Sequence, residues 1–173
     1  MRITKTVLNR QEIAERVAAL GRQITADYQG RKLVLLGVLN GAFIFLADLA
    51  RAIDLEVEID FIRAASYGNG TASSGAVVLR NEPDIDLAGK DILIVEDIVD
   101  SGLTIAWLRE HFLRTHQPAS VKVCALLDKH ERRSVAVQVD YVGFTLASGF
   151  LVGYGLDYAQ KWRNLPEICE AAS

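Results

Sequence analysis

The hydrophobic and polar positions of this 173-residue chain alternate between two patterns: short apolar runs without polar interruption, and longer stretches with apolar residues three and four apart. The first pattern fits strands buried on both faces of a parallel sheet, the second fits amphipathic helices. Residues 11–28 have helical spacing in Ile13, Val17 and Leu20, with Gly30 as a C-terminal cap. Residues 32–38 predict a strand, 42–53 a helix and 57–64 a strand, which together make a βαβ unit with a right-handed crossover. The small, polar stretch 66–75 predicts a long mobile hairpin ahead of a β-like segment at 76–80. Residues 91–95 predict the next strand, 103–114 a helix with Ile105, Leu108 and Phe112 on one stripe, and 121–127 another strand. After His130 the pattern shortens to β-like pieces at 135–142 and 150–152 and a helix around 166–171. Alternating strands and helices imply an α/β fold, an open parallel twisted sheet flanked by helices, with ligands outside the carboxyl ends of the strands.

The most informative chemistry sits where the run Ile92-Leu93-Ile94-Val95 meets Glu96-Asp97-Ile98-Val99-Asp100-Ser101-Gly102-Leu103-Thr104. Strand, small-residue loop and helix start is an anion-binding geometry. Residues 100–104 present backbone N–H groups at the positive end of a helix, Gly102 permits close approach, and Ser101 and Thr104 add hydroxyl donors. Glu96 and Asp97 need partners as the strand leaves the core, because desolvating two unpaired anions is costly. Ribose hydroxyls or hydrated Mg²⁺ supply such partners. The bland alternative is a helix cap beside solvated acids; it accounts for each residue singly but not for their order.

Composition narrows the class. With half its residues apolar and no low-complexity stretch or repeat, the chain is expected to form a single domain, 1–173, able to bury roughly 70% of its unfolded surface. Nineteen basic against 22 acidic residues give a net charge of −3 and a pI near 5.6, which argues against nucleic acid as a partner. Cys124 lies in an apolar run and Cys169 in the C-terminal helical segment, neither with metal-ligand spacing, which suits a reducing cytoplasm. The N-terminus has no apolar signal-like run. The apolar segment 33–50 contains Asn40, Asp48 and two glycines, so no membrane span is expected.

The 92–104 stretch resembles the signature for phosphoribosyl pyrophosphate (PRPP) of the type I phosphoribosyltransferases: apolar strand, Glu-Asp, two apolar residues, Asp-Ser-Gly-x-Thr. The resemblance runs from Val34 to Arg163 and is nearest to the hypoxanthine (6-oxopurine) branch. It implies a core at about 30–130 and a small hood, made from about 131–173 with some N-terminal residues, over the base. It implies transfer of the 5-phosphoribosyl group from PRPP to hypoxanthine, with guanine as a second base, in a Mg²⁺-dependent, cytoplasmic homodimer or homotetramer. By resemblance, Asp100 is the general acid/base at purine N7, and Glu96 and Asp97 hold the ribose hydroxyls directly or through Mg²⁺. Residues Asp100, Ser101, Gly102, Leu103 and Thr104 receive the 5′-phosphate. Lys129 donates to O6 of the base, Phe150 stacks on it, and the Leu151 backbone contacts its edge. Asp157 is a purine-side residue and the second metal carboxylate, and Arg163 binds pyrophosphate. Leu39, Asn40 and Gly41 occupy the pyrophosphate loop, where many relatives have Lys in place of Asn40 and a non-proline cis peptide; Leu103 likewise replaces a Lys of some relatives. Ser66 and Tyr67 open the 66–75 stretch, expected to be a lid with Tyr67 covering the site. Two rival readings are a nucleotide-sensing, RNA-binding regulator of this fold and a phosphoribosyltransferase for xanthine.

Overall fold

The protein is described by a computed structural model covering residues 1–67 and 76–172. In chain order the elements are β1 (Arg2–Leu8), α1 (Arg10–Asp27), β2 (Leu33–Val38), α2 (Phe43–Ala52), β3 (Val57–Tyr67), β4 (Ala76–Asn81), β5 (Asp91–Val99), α3 (Leu103–Thr115), β6 (Ser120–Lys129), β7 (Tyr141–Leu146), β8 (Leu151–Val152) and β9 (Ile168–Ala172). Six strands form one sheet in the order β4-β3-β2-β5-β6-β7, parallel except for the antiparallel β3–β4 pair.

Strict two-sided burial explains the apolar runs of β2 and β5. Leu33, Leu35, Leu93 and Val95 point into the core made with α1 and α2, while Val34, Leu36, Ile92 and Ile94 point into the core made with α3. From β2 the chain crosses through α2 to β3, and from β5 it crosses through α3 to β6 on the other side. Crossovers of the same hand running in opposite directions put their helices on opposite faces. They also leave the carboxyl ends of β2 and β5 side by side, with their loops diverging, which is the crevice where ligands bind in open α/β sheets.

Helix α1 begins at Asn9, whose side chain accepts from the Gln11 and Glu12 amides while the Glu12 carboxylate accepts from the Asn9 N–H. This capping box stands in the sequence as Asn-x-x-Glu. Gly30 adopts φ +74 two residues beyond the helix cap at Tyr28.

Three expectations need correction. The segment around 166–171, expected to be helical, is strand β9, and Cys169 therefore lies in a strand. Ile168 is fully buried there and the backbone pairs antiparallel with β1, an N-terminal strand the pattern did not predict. Tertiary pairing overrides the modest helix preference of Glu and Ala in so short a window. The β-like run 135–142 becomes a strand only from Tyr141. Val137 and Val139 pack against the α3-side core without sheet pairing, and the Asp140 carboxylate takes the Val123 N–H where the ladder starts. Finally, β5 does not stop at Val95 but continues to Val99, so Glu96 and Asp97 are strand residues.

Strands β1, β9 and β8 make a second, antiparallel sheet of three strands that joins both chain ends. Leu8, Leu151, Tyr154, Leu156 and Ile168 bury this hood against the α1–α2 core. The lid expected at 66–75 falls for the most part outside the described residues; Ser66 and Tyr67 close the backbone of β3. Among the described residues no helix is long and apolar enough to cross a membrane.

Candidate active site

A cavity of about 340 Å³ opens at the carboxyl ends of β2 and β5. Its floor is the acidic tip of β5, where Glu96 is 8% and Asp97 9% exposed. Burial, and after it the neighbouring Asp97 charge, raises the Glu96 carboxyl well above the ordinary range. Burial raises Asp97 too, opposed by hydrogen bonding with Glu96, by the Ile98 N–H at 3.0 Å and by the field of Arg163. Two adjacent buried carboxylates without a lysine or arginine in direct contact are a site for hydroxyl donors or a hard cation.

The raised pKa values have a measurable consequence. A carboxyl that holds its proton more tightly in the folded state makes the native protein bind more protons than the unfolded chain above the ordinary carboxylate pKa, so stability falls as pH rises through that window. In buffer free of divalent cations, the unfolding midpoint of the wild type is expected to fall relative to Glu96→Gln as pH rises from 4.5, the ordinary Glu value, through the raised Glu96 range. A constant difference between the two proteins across that window would show that Glu96 ionises normally.

One wall is the turn into α3. Gly102 sits at the N-cap with φ +85, no side chain caps that end, and the first intrahelical bond runs from the Ala106 N–H to the Gly102 carbonyl. The amides of Leu103, Thr104 and Ile105 therefore lie ahead of the helical ladder, available to an anion. The Ser101 hydroxyl approaches the Leu103 N–H at 3.4 Å, too long to act as a strong cap. Ser101, Gly102 and Thr104 line the cavity; Leu103 does not. Asp100 lines it too, with Oδ2 paired to Arg132 at 2.7 Å and Oδ1 buried without a hydrogen-bond partner among the described residues.

Arg133 holds this turn in place. Its guanidinium donates to the carbonyls of Asp100, Val99 and Lys129 and to the Asp128 carboxylate, tying the end of β5 to the end of β6. Sequence reasoning assigned no role to Arg132 or Arg133. Their place after Asp128-Lys129, at the ligand end of β6, is the available signal, but two carbonyl acceptors of Arg133, those of Asp100 and Val99, lie more than thirty residues away in sequence.

The opposite wall is the 39–41 turn after β2, with a cis Leu39–Asn40 peptide. Gly41 lies so close to the acids that a Cβ there would stand 1.8 Å from Asp97 Oδ2. Gly155 in turn backs onto Gly41: its φ is +103, and a Cβ would come within 2.0 Å of the Gly41 carbonyl. Arg163 donates to the Gly155 carbonyl at 2.7 Å and pairs with Asp157 at 2.7 Å, and both side chains line the cavity. This small-residue seam was invisible in the sequence, since nothing local links residues 41, 97 and 155.

Glu96, Asp97 and Asp157 all line this cavity beside Arg163, and carboxylate oxygens are the ligand type that Mg²⁺ takes. Of the residues expected to meet the base, Asp100 and Asp157 line this cavity, whereas Lys129, Phe150 and Leu151 do not. Lys129 is only 4% exposed at the end of β6, where its ammonium pairs with Glu131 at 3.1 Å, so it is not a surface lysine. Phe150 is 42% exposed and packs edge-on against Tyr158, and Leu151 is buried in β8. A second hollow, of about 650 Å³, lies between α1, α2 and the hood, lined by Arg10, Ile44, Arg51 and Tyr154 among others. It shares no lining residue with the cavity at the acids and holds none of the expected site residues.

The comparisons with known proteins agree on one family. A family model described as a phosphoribosyl transferase domain matches residues 4–159. The chain is 48% identical over 159 residues to a hypoxanthine phosphoribosyltransferase of Escherichia coli, covering 91% of this chain and 89% of that one. A crystal structure of a hypoxanthine-guanine phosphoribosyltransferase from Bacillus anthracis superposes with a TM-score of 0.94 at 46% identity, covering 99% of this chain and all of the other. The chain is also 46% identical to part of a bifunctional TilS/HprT protein of Listeria innocua, of whose length it spans 26%.

Proposed function

The chain belongs to the phosphoribosyl transferase domain family, and from that premise we propose that it is a Mg²⁺-dependent 6-oxopurine phosphoribosyltransferase of the cytoplasm. It converts PRPP and hypoxanthine, and guanine as a second base, to IMP or GMP and pyrophosphate in purine salvage. The observation that carries this reading is the buried Glu96–Asp97 pair lying between the uncapped start of α3 and the Gly41 turn, inside one cavity. It offers hydroxyl acceptors, phosphate donors and a cation site in the order a phosphorylated ribose requires.

In this reading the α3 amides, Ser101 and Thr104 donate to the 5′-phosphate and fix the ribose. Glu96 and Asp97 accept from its 2′ and 3′ hydroxyls. Asn40, the Gly41 backbone and Arg163 hold the pyrophosphate, with Arg163 kept in place by Asp157 and the Gly155 carbonyl. Glu96, Asp97 and Asp157 would hold Mg²⁺, which when bound would offset negative charge on the leaving group. Fixing both reactants turns a bimolecular encounter into a near-unimolecular step. Asp100 exchanges the proton at N7 as charge shifts through the purine ring.

The direct test supplies the protein with PRPP, Mg²⁺ and each of hypoxanthine, guanine, xanthine and adenine, following nucleotide formation. Nucleotide from hypoxanthine is expected, and none from any 6-oxopurine would refute the reading. Exposed Phe43, Ile59 and Phe61 leave large apolar side chains on α2 and β3, which supports self-association as a dimer or tetramer; light scattering at assay concentration reads this directly.

Base choice is assigned to Lys129. An ammonium only donates, so it favours an acceptor at purine position 6 and disfavours the amino group of adenine. Facing two donors in a buried site costs about 1–3 kcal/mol, or roughly a tenfold to hundredfold preference. Lys129→Gln is expected to lower kcat/KM for hypoxanthine and so narrow its lead over adenine. Unchanged hypoxanthine kinetics would move base selection to the backbone near Leu151.

A further inference from the structure

Glu82, His111 and His116 converge at the far end of α3, outside the cavity described above. His111 Nε2 is 2.8 Å from Glu82 Oε1, and His116 Nε2 is 3.1 Å from Oε2. All three ligand atoms lie within 4.8 Å of one another. Five residues apart on an ideal helix, the two histidines would point about 140° away from each other. They meet because α3 ends at Thr115 and His116 takes the cap position at φ −116, ψ −6.

Neither ring is loose. His111 stacks on Trp107 with centroids 4.8 Å apart and planes within 8°, and Phe112 packs against both imidazoles, 5.4 Å from His111 and 5.5 Å from His116. Both histidine side chains are largely buried while Glu82 reaches solvent. None of the three residues has a task in ribosyl transfer, since they lie roughly 12–20 Å along the helix axis from its phosphate-binding start.

We propose that Glu82, His111 and His116 bind a divalent transition metal of the zinc class. Two imidazole nitrogens and one carboxylate oxygen are the ligands Zn²⁺ accepts at about 2.0–2.2 Å, and tetrahedral placement at that length separates neighbouring ligand atoms by about 3.4 Å. Exposure of Glu82 leaves water free to take the fourth position. Mg²⁺ is the wrong ion for this donor set, because it requires oxygen ligands in an octahedron, whereas imidazole suits Zn²⁺, Ni²⁺ and Cu²⁺. The ion would clip the segment after β4 to the end of α3, joining residues 29 and 34 positions apart in sequence.

The test titrates ZnCl₂ into the whole protein by calorimetry at about pH 7.5, since zinc competes with protons for its ligands, with excess MgCl₂ present to occupy the carboxylates of the transfer cavity. One Zn²⁺ per chain is expected. Affinity should fall at least tenfold in Glu82→Gln and in the double variant His111→Gln/His116→Gln, both of which keep wild-type transferase rates and circular dichroism. Cu²⁺ under the same conditions should quench indole fluorescence through Trp107, and Trp107→Phe should lose that quenching while keeping the Zn²⁺ stoichiometry. Absence of Zn²⁺ binding, or equal binding by the double variant, would overturn the proposal and leave Glu82 as a carboxylate accepting two imidazole hydrogen bonds.

Discussion

Asp100→Asn is expected to lower turnover by roughly 10²-fold or more while PRPP binding is retained, because a positioned acid/base group contributes about that much to a proton transfer. Asp100 stands between the last strand residue of β5 and the turn into α3, and its Oδ1 is buried in the cavity wall without a partner among the described residues. A buried carboxylate oxygen with a free lone pair is costly unless a ligand supplies the proton. Asparagine keeps the shape of the side chain and removes its capacity to take that proton. The backbone around it is held independently by Arg133 on the Asp100 and Val99 carbonyls, so the phosphate turn should survive the change. Hypoxanthine turnover and calorimetric PRPP affinity, measured on the same preparation, separate the two effects. Near-normal turnover would assign the proton to a different group, and lost PRPP affinity would make Asp100 a binding residue.

Gly41→Ala is expected to cost a comparable factor by a steric route. The new methyl would stand 1.8 Å from Asp97 Oδ2 and 2.4 Å from Asp97 Cγ. Asp97 is nearly buried and anchored by the Ile98 N–H, and the Gly41 carbonyl is backed by Gly155, so neither side has free space to yield. A displacement of about 1 Å in a catalytic constellation is enough for a loss near 10²-fold. Weaker apparent Mg²⁺ and PRPP affinity should accompany the loss, since the clash falls on a proposed metal and ribose ligand. Gly89→Ala is the control: its φ of +69 adds a backbone strain that Gly41 does not have, yet nothing lies within 4 Å of the added Cβ. Wild-type activity in Gly89→Ala with loss in Gly41→Ala would locate the effect in the Asp97 contact. Full activity in Gly41→Ala would mean that the loop and the acids tolerate separation.

Much of the site was legible because it is contiguous. From Ile92 to Thr104 one stretch supplies the buried strand, the acids, the turn and the helix start, and each feature follows from local pattern. The far wall was legible only through resemblance. Asn40, Gly41, Asp157 and Arg163 show no spacing of their own; the sheet order and the packing of the hood bring them to β5. Lys129 illustrates the difference in another way. Composition favours an exposed lysine, whereas the structure buries it at the end of β6, where two-sided strand burial runs through to the last residue.

By itself, the sequence determined the α/β class, the βαβ alternation, the place of β2, the start of β5, the middle of β6, and the turn into a helix start after β5, because hydrophobic periodicity and helix-terminal chemistry act over a few residues. Tertiary structure alone decided the rest. It made 168–172 a strand by pairing it with β1, and left 135–140 outside the sheet although its alternation suits one. It closed the Gly41–Asp97–Gly155 seam and joined Glu82 to the two histidines at the end of α3. Each of these depends on backbone partners or close approaches between segments distant in the chain, and such contacts leave no periodic trace in the residues that make them.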